Sequence, residues 1–341
     1  MSRRFRIGTF NLFNLVSPNV HYYGKREYSQ KRFKQKTDWI GNQLQNMYAD
    51  IVGFQEIFHE EPLKQILAQS DKYKHYELHC ANANGKGPVV GLATRFPVLN
   101  VEVIKDFPLA ISLIDEEDQT TEIPLQINKF SRAILKADVQ VSTDLTITVF
   151  VTHLKSKRPL FGQHSDRNDF SQKALGELRS MLKRSTEACA LRNLLVDHVQ
   201  NSPNPAIVLG DLNDGGRSVS TSLIMGSKPW MYKPTDANNE EWQELKQKTW
   251  QALFHNCKDI QARQSYHDMY YTHIHNGHYE CLDHIIVGNQ FANENRNKLG
   301  RVINVEAYND HLIDETLSEE SVPVWQSDHG QLVATIELMR Q

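Results

Sequence analysis

The sequence is poor in cysteine, with four in 341 residues, and none of the four forms a C-x-x-C pair. Such wide spacing supports neither a disulfide framework nor a zinc ribbon. The chain also has no apolar run of 18 residues, so we expect no transmembrane helix. A signal-like apolar stretch is missing from the first residues, which predicts a soluble, cytoplasmic protein.

A strong excess of charge of either sign is absent as well. Lysine and arginine together number 38, aspartate and glutamate 41, and the net charge is −3. No global positive field is available to hold a nucleic acid or a membrane surface, so any binding of phosphate has to be local. The sequence has no internal repeat and no visible domain boundary, and it indicates no obligate protein partner.

Short β-branched runs bounded by turn residues predict eight strands. Several of them are continuously apolar, which is typical of buried strands. Helical periodicity marks residues 30–47 and 171–199, where polar residues fill the opposite faces. The mixture predicts an α/β fold with two packed sheets covered by helices. The predicted strands are 5–12, 51–55, 89–94, 133–141, 145–152, 206–210, 282–287 and 332–338.

Nearly every apolar strand has an acidic, amide or imidazole residue at its end. A buried strand does not need such a neighbour. Active sites of sheet proteins gather at strand ends, where a rigid scaffold holds the loops. We therefore expect six such positions to converge on one cleft. They carry Asn11, Glu56, His153, Asp211 with Asn213, Asp283, and Asp328 with His329.

The residue types in this set suit hydrolysis of a phosphodiester. Glu56 and Asn11 offer carboxylate and amide oxygens to Mg²⁺, which keeps several waters and binds through few carboxylates. The reaction also needs a group that aligns the attacking water, donors for the charge on phosphorus, and a proton for the leaving oxygen. His329 would serve best with a carboxylate on its second nitrogen, and Asp283 is the candidate for that carboxylate.

Taken singly, these residues have ordinary explanations. Asparagine and aspartate are frequent turn formers, and a lone histidine is more often a core-edge imidazole than a catalyst. Six motifs in one order carry far more weight. Together they resemble the endonuclease/exonuclease/phosphatase superfamily, through TFN at 9–11, DIVGFQE at 50–56, THL at 152–154, GDLN at 210–213, LDH at 282–284 and SDH at 327–329.

This resemblance implies a four-layer α/β/β/α sandwich, in which two packed mixed β-sheets are flanked by helices, as a single domain over residues 1–341. It also implies hydrolysis of a phosphoester with Mg²⁺, for which Mn²⁺ could substitute. Glu56 would hold the metal, with Asn11 beside it and Asp328 at the ion or its water shell. The resemblance leaves open whether one ion or two take part.

Further roles follow from the same resemblance. Asp211 would align the attacking water, and Asn213 would hold the scissile phosphate. His329, paired with Asp283, would act as a base or as a donor to the transition state. His153 would protonate the leaving group or contact the phosphate.

Three basic residues are candidates for substrate binding. Arg132 stands on a strand where related enzymes often carry a basic residue near the cleft. Lys155 and Lys157 follow His153 closely, in a run that fits phosphate contact or a solvated charged face. This lysine pair and the GDLND segment at 210–214 are most similar to the bacterial nuclease-type branch of the superfamily.

Departures from better-known branches narrow the choice of substrate. Phe13 stands where abasic-site endonucleases carry an acidic metal ligand, and His153 stands where they carry tyrosine. The segment ECLDH at 280–284 lacks the longer signature of inositol polyphosphate 5-phosphatases. We therefore expect a nuclease that acts on DNA or RNA. The alternatives are a phosphatase or phosphodiesterase for a lipid headgroup or small metabolite, and an inactive binding module that retains the fold.

Two clusters stay outside this assignment. The loop around Tyr22 and Tyr23 mixes aromatic and basic residues, which suits a stacked base or an ordinary loop. Five histidines crowd one stretch, but none has the helical i, i+4 spacing of a zinc protease, so we predict no zinc site there. His273 and His275 alternate and are expected to share an exposed face. The five are His255, His267, His273, His275 and His278.

Overall fold

The computed structural model describes residues 4–115, 121–228, 238–264 and 270–339. The helices in these ranges are α1 (Gln30–Met47), α2 (Glu60–Ala68), α3 (Phe170–Asn201), α4 (Val219–Met225), α5 (Asn239–Gln251) and α6 (Cys257–Gln264). No helix in the described ranges is both long and apolar enough to cross a membrane.

The strands are numbered in chain order. They are β1 (Arg4–Leu15), β2 (Ile51–His59), β3 (Glu77–Cys80), β4 (Asn84–Thr94), β5 (Val98–Asp106), β6 (Ser112–Ile114), β7 (Glu122–Pro124), β8 (Lys129–Ser142), β9 (Leu145–His153), β10 (Ala206–Asp211), β11 (Phe254–Asn256), β12 (His273–His275), β13 (His278–Glu280), β14 (Asp283–Gly288), β15 (Gly300–Tyr308) and β16 (Gln331–Leu338).

Two six-stranded mixed sheets form the centre of the molecule. The first has the order β15-β16-β1-β2-β4-β3, and the second has the order β11-β14-β10-β9-β8-β5. Each contains one parallel pair, β1 with β2 and β9 with β10, among antiparallel neighbours. Parallel neighbours place their carboxyl ends at the same edge of a sheet, and the predicted polar residues follow these strands.

The core consists of three apolar layers. One lies between the two sheets and contains Ile7, Val149 and Leu209. The second packs α1 and α2 against the outer face of the first sheet, and the third packs α3 and α4 against the outer face of the second sheet. This arrangement is the four-layer α/β/β/α sandwich that the sequence predicts.

The eight predicted strands and both predicted helices are present, with differences at their ends. The largest difference is in β4, which begins at Asn84, five residues before the predicted start. β2 continues to His59, four residues beyond its predicted end, and β1 continues to Leu15 through a bulge, three residues beyond. Among the strands of the two central sheets, β3, β5, β11 and β15 are missing from the prediction. In β5 most side chains are exposed or half-buried, because it is an edge strand, so its apolar signal is weak.

Candidate active site

One carboxylate, Asp211, lies at the centre of the predicted site. It is the last residue of β10 and is buried. Across the sheet it is level with His153, the last residue of β9, and with Asp283, the first residue of β14. Three strand ends of the second sheet therefore place an imidazole and two carboxylates side by side.

The glycine before Asp211 allows this close approach. Gly210 has a φ of +149°, and a Cβ there would lie 1.9 Å from the carbonyl oxygen of Thr152. A residue with a side chain would push β10 away from β9 at the point where both enter the site.

Two amides donate to the same Asp211 oxygen. The Nδ2 of Asn11, on β1 of the first sheet, lies 3.1 Å from Asp211 Oδ2. The Nδ2 of Asn213 lies 3.2 Å from that oxygen and 3.1 Å from the carbonyl oxygen of Leu154, and its backbone N–H donates to Asp211 Oδ1 at 2.7 Å. Both sheets thus contribute to one hydrogen-bonded centre.

Two buried imidazoles face the same oxygen. The Nε2 of His153 is 3.3 Å from Asp211 Oδ2, and the Nε2 of His329 is 3.8 Å from it. The Nδ1 of His329 is 2.8 Å from Asp283 Oδ2. A carboxylate on Nδ1 sets the tautomer and the direction of the ring, so His329 presents Nε2 to the centre of the site.

Two hydroxyl groups hold this His329–Asp283 pair in place. The Thr272 hydroxyl oxygen accepts from the backbone N–H of Asp283 at 3.2 Å. The Ser327 hydroxyl accepts from the backbone N–H of His329 at 3.0 Å and donates to the carbonyl oxygen of Asn11 at 2.8 Å. Ser327 therefore links the loop of His329 to the strand of Asn11.

The ionisable groups of the site differ in charge at neutral pH. Burial by itself lowers the pKa of His329, but the charges of Asp283 and Asp211 outweigh it and hold that pKa well above its usual value. Burial raises the pKa of Asp211, but His329 and His153 outweigh it and hold that pKa below its usual value. Burial and the nearby charge of Arg132 lower the pKa of His153. At neutral pH the site therefore contains an ionised Asp211, a charged His329 and a neutral His153.

Glu56 stands where both parallel strands of the first sheet lose their regular register. The pairing of β1 with β2 shifts between Asn11 and Leu15. Glu56 has a φ of 63°, and Phe13 and Asn14 have φ values of 48° and 60°. Left-handed backbone is uncommon for residues with a Cβ and concentrates at functional sites. The bulges bring Asn14 to Glu56, whose Oε2 accepts from the Asn14 backbone N–H at 2.9 Å.

The oxygens around Glu56 fit a hard divalent cation. Within the described chain, the Oδ1 of Asn14, the residue whose backbone N–H donates to Glu56, is buried without a hydrogen-bond partner. Unpartnered buried oxygens are rare in proteins, and carboxylate with amide oxygen is the donor set that Mg²⁺ takes. The Oδ1 of Asn11 accepts from the Phe13 N–H at 3.0 Å, and its role as a ligand stays a prediction. Asn14 was not predicted, because its orientation depends on the bulge.

A buried lysine lies under this part of the site. Lys36 of α1 is fully buried, and its Nζ is 5.6 Å and 5.4 Å from the ring centroids of Phe13 and Tyr28. The described residues give this Nζ no hydrogen-bond partner. Burial lowers its pKa to about 7, although Glu56 and Asp328 raise it. Lys36 was not predicted, because in the sequence it looks like an ordinary charged residue on a surface helix.

The three basic residues predicted to bind substrate differ in their surroundings. Arg132 donates to the carbonyl oxygen of Leu154 at 3.0 Å, and its buried Nε has no partner among the described residues. The Nζ of Lys155 donates to the carbonyl oxygens of Ser156 and Arg158. The Nζ of Lys157 pairs with Glu280 at 2.6 Å. Arg132 is therefore the best placed of the three, and a role for both lysines stays a prediction.

The first long loop presents an exposed aromatic ring. Tyr23 is 56% exposed and has a left-handed φ of 45°. Its ring meets Phe58 edge-on at 5.6 Å and lies 5.9 Å from Tyr22. Burial raises the pKa of Tyr23, the charge of Glu56 raises it further, and the charge of Arg132 lowers it.

One expectation about the histidines is wrong. His275 is exposed, but His273 is half-buried, and its ring centroid is 5.0 Å from that of His329. Burial and the charge of His329 lower the pKa of His273 to about 4. The two histidines differ because the hairpin of β12 and β13 lays only His273 against the site. His267 lies outside the described residues.

Comparison with known proteins gives the same fold. A model described as the endonuclease/exonuclease/phosphatase family matches residues 8–329. A structure of D. rerio TDP2 complexed with single strand DNA product is 14% identical, with TM-score 0.53 and coverage of 98% of both chains. By sequence, no curated protein matches.

Two further structures have the same architecture. The human Nocturnin catalytic domain with bound sulfate is 15% identical over 99% of this chain and 94% of its own, with TM-score 0.54. An endonuclease/exonuclease/phosphatase from Bacteroides vulgatus is 14% identical over 98% of this chain and 99% of its own, with TM-score 0.54. At such identities the likeness concerns the fold alone.

Proposed function

The chain belongs to the endonuclease/exonuclease/phosphatase family, and from this membership we propose that it is a metal-dependent phosphodiesterase that cleaves DNA or RNA. The observation that carries the proposal is the convergence of Asn11, Asn213, His153 and His329 on one oxygen of Asp211. A module that only binds does not need an ionised carboxylate held between two imidazoles.

The metal would be Mg²⁺, or Mn²⁺ in its place, held by Glu56 with the amide oxygens of Asn11 and Asn14 and with Asp328 at its water shell. When bound, such an ion supplies positive charge to the scissile phosphate. The support for this assignment is the unpartnered side-chain oxygen of Asn14, whose backbone N–H donates to Glu56.

The charge of each remaining side chain indicates its role in the reaction. Asp211, ionised at neutral pH, would orient the attacking water and accept its proton. His329, kept protonated by Asp283, would donate to the charge that develops on the phosphate oxygens. Asn213 would hold the phosphate, and neutral His153 would contact the leaving oxygen.

Nucleic acid is the substrate that the surroundings of the site favour. The Tyr23 ring is exposed, and the charges of Glu56 and Arg132 act on its hydroxyl, so we propose that a base stacks there next to the phosphate being cleaved. Arg132 supplies positive charge on the same side, where Lys155 and Lys157 would add to it. The D. rerio TDP2 structure with a single strand DNA product supports this choice. We further propose a single domain over residues 1–341 and a cytoplasmic location without an obligate protein partner.

The test is a substrate panel with purified protein and millimolar Mg²⁺ or Mn²⁺. Single-stranded DNA, duplex DNA, RNA, a lipid phosphodiester and small phosphate esters are compared, with metal chelation as the blank. We expect cleavage of nucleic acid that is lost on chelation and in Asp211→Asn. Asp71→Asn, which changes a fully exposed aspartate, is the matched control. If only the lipid or the small esters are turned over, the protein is a phosphatase or lipid phosphodiesterase and not a nuclease. If no substrate is turned over, the protein is an inactive binding module.

A further inference from the structure

A second group of side chains with the chemistry of metal ligands lies next to Asp211. His273, Asp328 and His329 each offer one ligand atom, and these three atoms lie within 4.8 Å of one another. The group consists of two imidazoles and one carboxylate, whereas the Glu56 site offers oxygen atoms. Imidazole nitrogen favours zinc and neighbouring transition metals, and Mg²⁺ favours oxygen.

Two atoms in this group are buried and unpaired. Neither the Nδ1 of His273 nor the Oδ1 of Asp328 has a hydrogen-bond partner in the described ranges. Buried polar atoms without partners are uncommon, and each needs an explanation such as a bound ion. Their occurrence in two of the three residues of one cluster points to a ligand between them.

The third residue is oriented as a zinc-binding histidine is. The Nδ1 of His329 is engaged by Asp283 Oδ2 at 2.8 Å, so Nε2 is its free ligand atom. A carboxylate on the outer nitrogen orients the ring and raises the basicity of the metal-binding nitrogen. The pair that serves hydrolysis is therefore also suited to hold a transition metal.

The backbone holds the two segments of this group together. The N–H of Gly330, next to His329, donates to the carbonyl oxygen of Thr272, next to His273, at 2.7 Å. The Ser327 hydroxyl holds the backbone N–H of His329 on the other side of Asp328. The ligands come from chain segments more than 50 residues apart, and these hydrogen bonds fix their spacing before any ion binds.

In contrast to the absence of a zinc site that the histidine spacing predicts, we propose that His273, Asp328 and His329 form a site for Zn²⁺ or a similar transition-metal ion. This site adjoins the magnesium site at Glu56 and would share Asp328 with its water shell. The ion binds His329 Nε2, the nitrogen that faces Asp211 Oδ2 at 3.8 Å. If the proposed function is correct, zinc therefore removes the donor that His329 supplies to the transition state and inhibits the enzyme, because hydrolysis and zinc binding use the same nitrogen.

The test measures zinc binding without any substrate, so its result is independent of the proposed function. The metal-free full chain in millimolar Mg²⁺ is titrated with Zn²⁺ against a chromophoric zinc chelator. We expect one Zn²⁺ per chain, bound at least about 10-fold more weakly by His273→Ala and by Asp328→Asn. His275→Ala is the matched control, since this exposed histidine lies two residues away on the same strand, and it should bind like the wild type.

Equal affinity in His273→Ala and the wild type would overturn the proposal, as would an equal loss in His275→Ala. Zinc X-ray absorption on the wild-type protein provides a second measurement that needs no variant. Two imidazole nitrogens at about 2.0–2.1 Å are expected. A zinc ion with one imidazole or none would contradict the assignment.

Discussion

Asn11 and Asp211 are 200 residues apart, and the Asn11 side chain donates to the Asp211 carboxylate at 3.1 Å. Each residue stands on a central strand of a different sheet, β1 and β10. The bond therefore joins the two sheets at the site, and its loss should affect both catalysis and packing.

Asn11→Leu should lower kcat/KM for a nucleic acid substrate about 10- to 100-fold, since a hydrogen bond to a charged group contributes about 1.5–3 kcal/mol. Steady-state kinetics with Mg²⁺ measures the effect. Asn100→Ala, on the exposed edge strand β5, is the control and should behave like the wild type. Unchanged kinetics in Asn11→Leu would exclude a role for this contact.

Asp283→Asn should change the pH dependence of His329. The anion raises the pKa of this histidine, so the variant should lose the His329 proton at a lower pH than the wild type. If the protonated ring is the active form, the alkaline fall in kcat/KM moves to lower pH. NMR titration of the His329 ring proton measures the pKa directly. Asp144→Asn in an exposed turn is the control, and a His329 pKa that does not move would refute the assignment.

Stability should also depend on the state of His329. Its folded pKa lies above the unfolded value, so the stabilisation is fully present below the unfolded pKa, about 6.5. It is lost as the pH rises through the folded pKa. Asp283→Asn should reduce the slope of unfolding free energy in that alkaline range, as measured by urea unfolding at a series of pH values.

Lys36→Met should stabilise the protein at neutral pH by about 1–4 kcal/mol, because it removes a buried ammonium without a hydrogen-bond partner in the described structure. In the folded protein the pKa of Lys36 is lowered to about 7. Above that pH the unfolded chain binds more protons than the folded chain, so the wild type becomes more stable as the pH rises from 7. The stability of Lys36→Met should not rise with pH in this range. Urea unfolding at a series of pH values measures this dependence. Lys31→Met, at an exposed position of the same helix, is the control. A destabilised variant would mean that Lys36 is held as a needed charge.

Gly210→Ala should destabilise the fold by about 2–5 kcal/mol, because alanine would have to adopt a left-handed backbone conformation and its Cβ would clash with the Thr152 carbonyl oxygen. Gly215→Ala, five residues on, has open space around its added methyl group and should be close to neutral. Thermal unfolding of the two variants compares them. Equal stabilities would show that β10 can move away from β9 at little cost.

Tyr23→Ala should weaken binding of single-stranded DNA about 5- to 100-fold, because stacking of one base on an aromatic ring contributes about 1–3 kcal/mol. Fluorescence anisotropy with the metal-free protein measures binding apart from cleavage. Tyr23→Phe should retain most of the affinity. Tyr48→Ala is the control, since Tyr48 is also exposed and left-handed. Equal losses in the Tyr23 and Tyr48 variants would make the contact nonspecific.

The sequence by itself determined the buried central strands and the polar residues at their ends. Apolar runs such as 206–210 and polar residues such as Asp211 are local patterns, and buried strands and turns respond to local composition. The order of these motifs also led to the family and the four-layer fold. The ends of β1 and the edge strand β5 were less well predicted, because a bulge and an edge position weaken the alternating pattern.

Only the tertiary structure decided which of these residues meet. The packing of two sheets brings Asn11 to Asp211, and bulged backbone turns Glu56 and Asn14 toward each other. The placement of His273 against His329 and the burial of Lys36 likewise depend on contacts between segments far apart in the chain. The local periodicity of the sequence does not predict such contacts, because they form only when separate elements pack against each other and exclude water.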